Sequence, residues 1–69
     1  MSKRETLEKK IHIESLIDKE VKDRLLLFAY RDAERGGTSP YRSYTGKIAA
    51  ASKRIEQLRR YWHEINRAD

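Results

Sequence analysis

Sixty-nine residues without a cysteine allow one small domain at most, with no disulfide staple and no thiolate metal site. Charged residues make up 39% of the chain, and no apolar run approaches the roughly 20 residues of a membrane-spanning helix. The net charge of +5 is lopsided: residues 1–35 carry nine Lys/Arg against eight Asp/Glu, and residues 36–69 carry seven against three. The apolar residues are periodic rather than sparse, which argues against disorder. The opening MSKRETLEKK mixes acids with bases and lacks an apolar h-region, so it reads as neither a secretory signal nor a mitochondrial presequence. A soluble cytoplasmic protein is expected. A chain this short gains little more from burial than it loses in ordering, so regular helix packing, self-association or a partner must supply the rest.

The first element is a helix expected from about residue 3 to 35. SKRE at residues 2–5 matches a capping box, with Ser2 accepting from a backbone N–H and Glu5 reaching back. No Gly or Pro interrupts it before Arg35. Leu7, Ile11, Ile17, Val21, Leu25 and Phe28 recur at helical spacing and mark one apolar face, which Ile13 and Leu16 broaden. Residues 17–31, IDKEVKDRLLLFAYR, place an Ile-Asp, a Leu-rich face and an arginine in order, and in this resemble the first helix of the helical chorismate mutases. The rest of the chain is too short for the further helices and charged pocket which that likeness implies, and no site residue is transferred.

The turn follows at about 36–39. GGTSPYRSYTGK, residues 36–47, holds all three glycines and the only proline. Gly36-Gly37 reads as the stop signal of the first helix. TGKI lacks the Gly-x4-Gly-Lys-Ser/Thr spacing of a phosphate-cradling loop, since Tyr41 and Ile48 stand where the first glycine and the hydroxyl belong. The stretch is read as a capped reversal, with Tyr41, Arg42 and Tyr44 as a secondary contact cluster at the tip.

The second helix is expected over about 40–67, with Ser39 as N-cap and Pro40 in the first helical position. Gly46 interrupts it, and a second start at Thr45 is an alternative. Tyr41, Tyr44, Ile48, Ala51, Ile55, Leu58, Trp62 and Ile65 alternate spacings of three and four, the seam of a coiled coil. Two such helices predict an all-α antiparallel hairpin folded about residue 37 or 38, in which Ile17 faces Leu58, Val21 faces Ile55, and LLLF (25–28) lies against IAAA (48–51). Leu25 to Phe28 encircle their helix, because successive residues point ~100° apart. One neighbour cannot cover them all, so dimerisation into a four-helix bundle is expected.

Candidate chemistry is thin. His12 and His63 flank the apolar stripes and neither helix has a His-x3-His pair, so they read as boundary residues rather than ligands. Glu14 and Asp18, with Lys10 and Lys22, read as i,i+4 charge pairs rather than a catalytic dyad. No catalysis, cofactor, metal or small-molecule substrate is expected. The leading reading is a small helical interaction or assembly protein, an adaptor, inhibitor or structural component with a homodimer or other protein as partner, anchored by Leu26, Leu27 and Tyr30. The alternative is a nucleic-acid-binding protein that contacts phosphates through a basic ridge on the second helix: Lys53, Arg60 and Arg67 seven apart, flanked by Lys47, Arg54 and Arg59, with Tyr61 beside them.

Overall fold

A computed structural model describes residues 2–68, the last of them by its backbone alone. The architecture is all-α: helix α1 (Lys3–Asp32) and helix α2 (Ser39–Ala68) pack against each other as a hairpin. The rod measures 51 × 15 × 10 Å with a radius of gyration of 15.8 Å, against about 11 Å for a compact chain of this length.

At the start of α1, the Ser2 hydroxyl accepts from the Glu5 backbone N–H at 3.2 Å. Glu5 makes no return contact to the Ser2 N–H; instead the Thr6 hydroxyl donates to the Ser2 carbonyl at 3.2 Å, and Thr6 is buried. The helix stops at Asp32, three residues before the expected end. Ala33 caps it in an ordinary right-handed conformation, and the Glu34 N–H closes onto the Arg31 carbonyl at 2.9 Å. An acid at 32 and another at 34 sit against the negative end of the helix dipole, which disfavours extension. The glycines therefore serve the turn and not the stop. Thr38 donates to the Arg35 carbonyl through both its N–H (3.2 Å) and its hydroxyl (2.6 Å). Gly37 takes φ +83° at the third position of that turn, where a type II geometry needs a residue without Cβ.

Helix α2 starts one residue earlier than expected. The Thr38 carbonyl accepts from the Arg42 N–H at 3.1 Å, so Thr38 occupies the capping position and Ser39 opens the helix. Pro40 lies in the first turn, where its missing N–H has no helical acceptor to lose. Gly46 does not break α2: the helix runs through it without positive φ. A Cβ added at Gly46 meets nothing within 4 Å, so Gly46→Ala should stabilise the hairpin by about 0.5–1 kcal/mol, read from thermal or urea melts by circular dichroism.

The register is antiparallel about residue 37 or 38, as expected. Every polar contact across the seam straddles that midpoint. Lys10 Nζ donates to Asn66 Oδ1 (2.7 Å), Trp62 Nε1 to Glu14 Oε1 (3.1 Å), and Arg24 Nη1 to Ser52 Oγ (3.1 Å). Arg54 Nε donates to both Glu20 oxygens at 3.2 Å, and Tyr30 stacks at a tilt on Tyr44 with centroids 6.0 Å apart.

All eight seam positions expected on α2 are buried or half-buried. On α1 the expected stripe is half wrong. Ile17, Val21 and Phe28 turn inward, but Leu7, Ile11 and Leu25 are 58, 56 and 63% exposed. The seam runs instead through Thr6, Lys10, Ile13, Ile17, Glu20, Arg24, Leu27 and Arg31, spaced alternately four and three. Four of these eight are charged. Their aliphatic stems cover apolar surface, and the heads of Lys10, Glu20 and Arg24 find partners on α2, while Arg31 Nε is buried without a hydrogen-bond partner among the described residues. Arg31 lies over the rings of Phe28 (5.1 Å) and Tyr41 (5.2 Å). The expected packing of Leu25 against Ala51 is also corrected: Arg24 occupies that level, and Leu25 and Leu26 point outward.

The resulting core is small. Ile13, Ile48, Ala51 and Ile55 are its buried apolar residues among those described. The surface is correspondingly large: 5481 Å², where a compact 8.2 kDa monomer exposes about 4,500 Å².

Candidate docking face

Because the rod is one helix thick, it has two broad faces, one on either side of the seam. The column Lys9, Leu16, Asp23, Tyr30 on α1 repeats every seven residues and stays beside the seam on one face. The column Lys47, Arg54, Tyr61 does the same on α2.

Between these columns runs a trough. Its loop end is lined by Leu26, Leu27 and Tyr30 together with Asp23, Lys47, Ala50 and Arg54. The middle is formed by Leu16, Lys19, Glu20, Gln57 and Leu58, with Arg54 shared from the loop end and Tyr61 shared onward. The far end is lined by Tyr61, Glu5, Glu8, Lys9, His12 and Ile13. The three anchor residues expected from the sequence line one groove together, and Arg54 and Tyr61 each border two neighbouring grooves on this face. Leu16, Leu26, Tyr30 and Tyr61 all stand exposed along this face.

The other broad face differs. Its notch is lined by Glu14, Ile17, Arg59, Trp62 and His63, and the Trp62 indole is closed over by its bond to Glu14 and by Lys10 Nζ 5.8 Å from its centroid. Leu7 and Ile11 sit near one end of α1 and Leu25 near the other, with Glu14, Asp18 and Lys22 between them. Apolar side chains scattered in this way need no cover. The apolar girdle at 25–30 is therefore divided, with Leu26, Leu27 and Tyr30 in the trough and Leu25 turned away from it.

The six basic residues named on α2 do not share one direction. Lys47 and Arg54 line the trough, Arg59 lines the opposite notch, and Lys53, Arg60 and Arg67 occupy the outer side of α2 at heptad spacing. Arg54 is held by Glu20 at 3.2 Å and Arg60 by Glu56 at 2.6 Å, while Lys47 lies 5.5 Å over the Tyr44 ring. Lys53, Arg59 and Arg67 make no ion pair among the described residues. Tyr41 and Tyr44 are spent on the seam, against Arg31 and Tyr30, so with exposed Arg42 they form no tip cluster.

The chain matches no family model, no curated protein and no solved structure. The chemistry of the faces has to speak for the function. His12 lines the trough and His63 the opposite notch, so the two histidines do not converge, and no group of three or more His, Asp or Glu assembles into a metal cage among the described residues. No helix among those residues is long and apolar enough to cross a membrane.

The sequence reading missed Leu16, Ala50, Gln57, Glu5 and Glu8 as members of a surface. The seven-residue recurrence of Lys9, Leu16, Asp23 and Tyr30 was the available signal. Its mixed chemistry hides it from a search for apolar stripes alone.

Proposed function

We propose that this protein is a small non-catalytic interaction and assembly module of the cytoplasm, which docks through the trough face with Leu26, Leu27 and Tyr30 as anchors. The observation that carries the reading is that these three side chains line one groove, with two further grooves along the same face past Leu16 to Tyr61. The apolar core, four residues among those described, explains why such a face matters. A hairpin this thin gains stability from whatever covers it, since ligation of the folded state adds directly to its free energy.

Leu26→Glu puts a charge into the groove and leaves Ile13, Ile48, Ala51 and Ile55 untouched. The variant should keep its helicity in dilute solution but elute as a bare monomer, both purified and from nuclease-treated lysate. Wild type should elute as a larger species in at least one of these settings. A wild-type chain that runs as a monomer in both would overturn the reading.

The second reading, phosphate binding along α2, is favoured by Lys53, Arg59 and Arg67, which stand exposed without an acidic partner among the described residues. If it holds, replacing Lys53, Arg60 and Arg67 by Gln should weaken binding to random duplex DNA and structured RNA alike. It should also flatten the dependence of log affinity on log salt by up to about three units, at roughly 0.9 per contact on duplex DNA. Stability should move by less than about 0.5 kcal/mol, because all three lie on the solvent side of α2. Fluorescence anisotropy over a salt series reads this out, and wild type that binds neither polymer at low salt would leave the basic residues as a solvated face.

A further inference from the structure

We draw no further inference here: the strongest candidate, the trough face between α1 and α2 that runs from Tyr30 past Leu16 to Tyr61, belongs to the docking face already described, mixes acids and bases along its length with Arg54 paired to Glu20, and nothing in the structure shows what covers it.

Discussion

Trimming Ile55 to alanine should cost the hairpin about 2–5 kcal/mol, enough to unfold most of it in dilute solution. Ile55 is 2% exposed and lies midway along the α2 seam, one of four buried apolar residues among those described. Deleting three carbons there removes their transfer free energy and leaves a void that two helices can close only by tilting out of register. The cross-seam bonds of Arg24 to Ser52 and Arg54 to Glu20 flank the site and would have to stretch together. Urea melts followed by circular dichroism at low concentration should show the loss. If self-association stabilises the fold, raising the protein concentration should recover part of it. A melt that matches wild type at every concentration would mean that Ile55 is not in the core.

Enlarging Ala51 to leucine should cost about 1–3 kcal/mol through overpacking. Ala51 is fully buried, and Arg24 reaches across at the same level to the Ser52 hydroxyl at 3.1 Å. A branched side chain at 51 has to displace the Arg24 stem or push the helices apart. Either move leaves the guanidinium without Ser52. Ala49 supplies the control, because it is exposed on α2 two residues away and Ala49→Leu should change stability by less than about 0.5 kcal/mol. Equal melts for the two leucine variants would contradict the seam described for α2.

Helix α2 was legible because its seam is written in one kind of residue. From Tyr41 to Ile65 the a and d positions are aromatic, aliphatic or Ala, and hydropathy finds the face without help. The midpoint of the fold was equally plain from the Gly36-Gly37 pair. Helix α1 hid its seam because its apolar residues are spread around the helix among charged ones. Leu7, Ile11 and Leu25 are as hydrophobic as Ile13, Ile17 and Leu27, so burial alone does not choose between the faces. What chooses is the set of partners that α2 offers: Asn66 for Lys10, the Trp62 indole for Glu14, Arg54 for Glu20 and Ser52 for Arg24. Such pairs are invisible to a periodicity count, which treats a charge at a seam position as a break. The same blindness concealed the trough. Its lining alternates apolar and charged residues from both helices, which meet only once the hairpin sets Lys47 level with Leu27 and Phe28. Gly46 misled in the opposite direction: in the middle of a helix held by its other face, one glycine weakens α2 without dividing it.

The central claim, that one broad face of this rod is its docking surface, is tested most directly by hydroxyl-radical footprinting of the wild-type chain from dilute to concentrated solution. Leu26, Tyr30 and Tyr61 should lose labelling together as the concentration rises, while Leu7, Ile11 and Leu25, equally exposed on the isolated hairpin, keep theirs. Protection of Leu7, Ile11 and Leu25 in place of the trough residues would contradict the account.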